Sequence, residues 1–139
     1  MSTPILSIDV LVQKIATQEG WDNPDPSVVP RRLDNPGDLI YARQGGAVAV
    51  KIGSHIFAKW TTPGQGMAWA YAQACLDIAR GMSLKQLIMS WAPPSDRNNT
   101  QEYLAGVAAG VGIENVDAPL YTFLPMHTIA VTGDSAAKS

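Results

Sequence analysis

Helix-start and helix-stop signals cut this 139-residue chain into four short segments, and that punctuation constrains its fold more than any other feature. The first segment runs from about Ser7 to Glu19, with Ser7 placed to cap it and Gly20 to stop it. Ile8, Leu11, Val12 and Ile15 recur at helical spacing and form one apolar stripe. A second helix is predicted from Thr62, where Thr62-Pro63-Gly64-Gln65 offers a capping box with Pro at the first helical position. Met67, Tyr71, Ala74, Cys75 and Ile78 share its apolar face, and it ends before Gly81. The third starts at Ser83, with Gln86 completing another capping box, and Pro93-Pro94 ends it. Its face carries Leu84, Leu87, Ile88 and Trp91. The fourth begins near Asn99 and runs through Leu104, Val107, Ala108 and Val111 to Gly112.

Residues 22–37 hold four prolines and read as a long ordered loop. From Leu39 to Trp60, apolar runs broken by Gly45-Gly46 and Gly53-Ser54 predict two or three short antiparallel strands. The expected fold class is therefore mainly α, an α+β helical domain with a small antiparallel sheet after the first helix. Residues 1–113 are expected to form one domain. Residues 114–139 show no helical period and read as a partly irregular C-terminal extension, frayed over its last seven residues.

Composition excludes several classes of function. An apolar fraction of 46% argues against disorder along the whole length. A net charge of −2 leaves no basic stripe for nucleic acid; Arg31-Arg32 is followed at once by Asp34 and reads as a solvated loop. His55, His127 and Cys75 are too far apart in sequence for a metal framework, and no cofactor is expected. Cys75, the single cysteine, excludes an intrachain disulfide and is expected to be a buried structural thiol. No apolar run approaches the roughly 18 residues of a membrane span. The N-terminus has no signal-peptide pattern, so synthesis in the cytoplasm without an export signal of its own is expected.

Glu19 is the residue that departs from its surroundings. It follows Ile8 by eleven residues, which at about 3.6 per turn returns to nearly the same direction. A carboxyl thus continues an apolar stripe at a helix C-terminus, where desolvation and the negative end of the dipole both favour its protonated form. Such a group suits general acid catalysis; a helix-terminal Glu bending into water is the plain alternative. Trp21, Trp60, Trp91, Tyr41 and Tyr103 lie near element ends, where they could stack on sugar rings. Trp69, Trp91 and Tyr71, inside helices, read as core filling. Asn35, Asn98, Asn99 and Thr100 sit in loops, as hydrogen-bond donors or as turn and cap residues.

Four blocks occur in order. They are Glu19-Gly20-Trp21, then Asp34-Asn35-Pro36-Gly37-Asp38-Leu39, and then Phe57-Ala58-Lys59-Trp60-Thr61-Thr62-Pro63-Gly64-Gln65-Gly66. The last is Trp91-Ala92-Pro93-Pro94-Ser95-Asp96, with Asn99-Thr100 and Tyr103-Leu104 behind it. Over about residues 8–113 the chain resembles a family of phage and prophage proteins with a lysozyme-like fold that degrade peptidoglycan. The resemblance implies cleavage of the β-1,4 bond between N-acetylmuramic acid and N-acetylglucosamine, with Glu19 as the acid. It implies a cleft walled by the Asn-Pro-Gly loop and the strands, and substrate contacts from Asn35, Trp60, Thr61, Asn99 and Tyr103. Asp34 and Asp38 stand where that family usually has Asn, and are candidates for a second carboxylate, with Asp22 behind them. A second carboxylate would act as nucleophile or as base toward water; without one, the sugar's own 6-hydroxyl would attack, as in lytic transglycosylases. The acidic residues at both positions favour hydrolysis. The expected partners are peptidoglycan glycan strands, reached through a holin-type pore or by delivery in a virion, without stable membrane insertion. The rival reading is a non-catalytic virion or cell-wall-binding protein on the same fold.

Overall fold

The computed structural model describes residues 4–96 and 98–125. The elements follow in the order α1 (Ile8–Glu19), α2 (Val29–Arg32), β1 (Val48–Ile52), β2 (His55–Lys59), α3 (Pro63–Ala79), α4 (Leu84–Trp91) and α5 (Thr100–Val111). Single 3-10 turns lie at Pro94–Asp96 and Leu120–Phe123. The fold is mainly helical α+β, with a two-stranded antiparallel sheet after the first helices. Among the described residues no helix is long and apolar enough to cross a membrane.

All four expected helices form, and α3, α4 and α5 start at the caps expected of them. Gln65 N–H donates to Thr62 Oγ1 at 3.3 Å, and Thr62 N–H donates to Gln65 Oε1 at 3.2 Å. Ser83 and Gln86 make the same reciprocal pair. Asn99 Oδ1 accepts from Glu102 N–H at 3.2 Å, and Gly112, at φ 76°, closes α5. Each satisfies donors or acceptors that a helix end leaves without intrahelical partners. The long loop departs from expectation, since Val29–Arg32 closes one helical turn with Pro30 in its first turn. Four residues are too few to leave a periodic signal.

Two compact units result. In the one built from Ile8–Leu76, the stripe of α1 (Leu11, Val12, Ile15, Ala16) is buried together with Leu33, Ala58, Trp60, Ala70 and Ala74. The face that α3 buries here is Gly66, Ala70 and Ala74; of the expected residues Ala74 and Ile78 are buried, whereas Met67, Tyr71 and Cys75 lie one position round from the buried stripe. Small side chains let the helix come close. A Cβ at Gly66 would lie 1.9 Å from the Asp34 carbonyl oxygen. Tyr71 is consequently exposed and Cys75 half-buried, which corrects both their expected burial and the placing of Trp69, itself 37% exposed.

Val48–Ile52 pairs with His55–Lys59 from Ile52↔His55 out to Val48↔Lys59, around a Gly53-Ser54 turn with Gly53 at φ 61°. The expected third strand is a single bridge, Ile40↔Phe57. The other unit takes the residues before Ile8 and after Leu76, with Leu84, Leu87, Ile88, Val107 and Leu120 at its centre. Residues 114–125 are built into it. Lys85 N–H donates to the Val116 carbonyl, Leu120 N–H to Met82, and Leu6 N–H to Phe123. The expectation for the last seven residues lies outside the described residues.

Candidate active site

Glu19 is held by the way α1 stops. Gly20 N–H donates to the Thr17 carbonyl at 3.1 Å and Trp21 N–H to Ala16 at 3.0 Å, with Gly20 at φ 99°. This is a Schellman motif with Glu19 as the last helical residue. Its side chain lies at the negative end of the helix and is half-buried. Trp21, just beyond, carries the Arg31 guanidinium over its ring at 5.8 Å.

The second carboxyl comes from the Asn-Pro-Gly loop. Asp34 and Asp38 both have positive φ, 50° and 53°. Asp and Asn tolerate this left-handed conformation better than other non-glycine residues, so backbone geometry itself selects their type here. Asn35 fixes the turn between them. It is fully buried, accepts from Leu39 N–H at 2.9 Å, and donates to the carbonyls of Leu39 (3.0 Å) and Ala58 (2.8 Å). Asp38 N–H closes the turn on the Asn35 carbonyl at 3.0 Å.

That turn carries Asp38 to Glu19, and the two carboxyls are hydrogen-bonded. Burial pushes Asp38 up to about 6, opposed by the bond from Glu19 and by the charge of His55. Asp38 Oδ1 is buried and has no hydrogen-bond partner. His55, at the start of β2, stacks on Phe57 with ring centroids 5.6 Å apart, and its Nδ1 lies 3.2 Å from Ser54 Oγ. Its part in this cluster was not foreseen. Alternation along the strand places His55 on the same face as Phe57, but that Asp38 lies within reach of its charge follows only from the tertiary pairing.

A folded-state carboxyl raised in this way stabilises the protein below its ordinary value of 3.8, and that contribution is lost as pH rises through about 6. At about 1.4 kcal/mol per tenfold change, the loss is on the order of 2–3 kcal/mol. Thermal unfolding of the wild type is expected to show stability falling between pH 4 and pH 7, and Asp38→Asn a flatter profile that is the more stable of the two at pH 7.

The other expected substrate contacts have structural work. Asn35 has no face toward solvent, because its amide is used on backbone groups. Trp60 is 1% exposed and donates Nε1–H to the Gly45 carbonyl at 3.1 Å, so it fills the core and offers no stacking surface. Trp69 donates to the same carbonyl, also at 3.1 Å, and is the indole left partly open. Thr61 is exposed and its hydroxyl donates to Gln65 Oε1 at 2.8 Å. Asn99 and Tyr103 belong to the other unit, Asn99 as the cap of α5 and Tyr103 buried at 6% exposure.

A groove of about 490 Å³ between α1 and α3, lined by Asp9, Gln13, Met67 and Tyr71 among others, includes neither Glu19 nor Asp38. Cys75 lies one turn along α3 from Tyr71. Burial pushes its thiol up, Asp9 adds to this, and its bond with Tyr71 works the other way, which makes it a poor nucleophile. Among the described residues no cluster of three or more His, Cys, Asp or Glu could hold a metal ion. No family model, curated protein or solved structure matches this chain.

Proposed function

We propose that this chain cleaves the β-1,4 glycosidic bond between N-acetylmuramic acid and N-acetylglucosamine in peptidoglycan, with Glu19 as general acid. The observation that carries the reading is the hydrogen bond between Glu19, at the end of a core-facing helix, and half-buried Asp38. Breaking a glycosidic bond requires a proton for the leaving oxygen while positive charge develops at the sugar carbon. A carboxyl serves as that donor at neutral pH only if its environment keeps the proton on it. The helix terminus, partial burial and an adjacent carboxylate all act in that direction. Delivery to the wall by a pore or a virion belongs to the same proposal.

Digestion of purified sacculi followed by mass spectrometry tests the reading. The expected result is release of disaccharide muropeptides. Free reducing ends would identify water as the acceptor, whereas 1,6-anhydromuramic ends, lighter by one water, would identify the sugar's own 6-hydroxyl. Folded protein that sediments with the sacculi and releases nothing would instead assign the chain to the non-catalytic wall-binding reading.

A further inference from the structure

We propose that Asp38 keeps the proton on Glu19, and serves neither as a nucleophile nor as a base toward water. The inference rests on the reading of Glu19 as the acid. Two ionised carboxylates cannot hydrogen-bond to each other, so the bond between these side chains requires a proton on one of them. Ionising Glu19 would put two anions in contact, and this opposes loss of its proton. Glu19, at the negative end of α1, is the carboxyl placed to hold the shared proton, with Asp38 as acceptor.

Geometry argues against the other roles. Carboxyls in retaining glycosidases stand about 5–5.5 Å apart, and in inverting ones about 6.5–9.5 Å, to leave room for sugar or water. A directly hydrogen-bonded pair leaves no such gap. The Asp38 oxygen without a hydrogen-bond partner, Oδ1, is buried and out of reach of a sugar carbon. The loop holds it there, because Asn35 ties the turn to both Leu39 and Ala58.

Two titratable groups act on Asp38. Glu19 reaches it from the end of α1, and His55 from the start of β2. A protonated His55 favours the anionic form of Asp38, which is the form that accepts from Glu19. In the reaction the Glu19 proton passes to the leaving oxygen, which also takes the electron pair of the broken C–O bond. The acceptor hydroxyl then bonds to the sugar carbon, and its proton returns to Glu19. Above about pH 6, where Asp38 is ionised, it stays an anion through these steps, and its charge favours that return.

Asp38→Asn in the full chain tests the proposal, because Asn tolerates the φ of 53° and retains an acceptor oxygen. Carboxyl ¹³C NMR is expected to show the Glu19 deprotonation midpoint falling by about one pH unit or more in the variant. The alkaline limb of the wall-cleavage profile is expected to move with it, with the rate at pH 5 staying within about tenfold of wild type. A Glu19 midpoint within about 0.3 of wild type would overturn the proposal. So would a loss on the order of 10² or more at every pH, the mark of a missing nucleophile or base. Undiminished cleavage by Glu19→Gln would sink the parent reading instead; the carboxyl titration tells the two failures apart because it reads the shared proton without turnover.

Discussion

Glu19→Gln is expected to lower the rate of glycan cleavage by on the order of 10²–10⁴, about 3–5 kcal/mol of transition-state stabilisation, while the fold persists. Gln matches Glu in shape and keeps a donor for Asp38, but its amide cannot give a proton to a leaving oxygen. The residue ends α1 through backbone bonds made by Gly20 and Trp21, which the substitution leaves alone. The measurement is turbidity loss of chloroform-treated Gram-negative cells, with circular dichroism to confirm folding. Wild-type lysis by a folded variant would remove Glu19 from the role of acid.

Gly66→Ala is expected to destabilise the protein by about 3 kcal/mol or more. The added methyl would meet the Asp34 carbonyl oxygen at 1.9 Å and Pro36 Cδ at 2.9 Å. The carbonyl is backbone and the proline ring is stiff, so either the loop or the start of α3 has to move. Displacing the loop also displaces Asp38, so wall cleavage should fall together with the denaturation midpoint. Gly64→Ala, where a Cβ meets nothing within 4 Å, is the control and should stay close to wild type. Equal midpoints for the two variants would show that the contact carries no weight.

Local chemistry was legible in the sequence, and pairings across the chain were not. Thr62, Ser83 and Asn99 announce their helices because a cap needs only residues three positions apart. Glu19 was legible too, since an apolar stripe ending in a carboxyl and a glycine is contained within one helix. Part of the buried face of α3 was misplaced because Gly66 and Ala70 bring little hydrophobicity; they are buried for being small, and Tyr71 is exposed despite its ring. Trp60 and Trp69 were interchanged for a related reason, as both indoles seek one acceptor at Gly45 and only packing decides which face stays open. Asp38 was named as a candidate carboxylate, but its contact with Glu19 depends on a left-handed turn and on an asparagine bonded 23 residues away, neither of which has a periodic signature.

The Asn35 bridge also orders events in time. Its bond to Leu39 can form as soon as that turn exists, whereas its bond to Ala58 has to close a much longer loop, and closure entropy delays contacts of that kind. The turn that carries Asp38 therefore gains its full set of Asn35 bonds only once Ala58 has reached it. A chain emerging from the ribosome presents Glu19 early and its partner late. Until Ala58 is in place, the turn that carries Asp38 lacks its long-range tie. A chain lacking the hairpin is therefore expected to hold that turn by local bonds alone, such as those to Leu39.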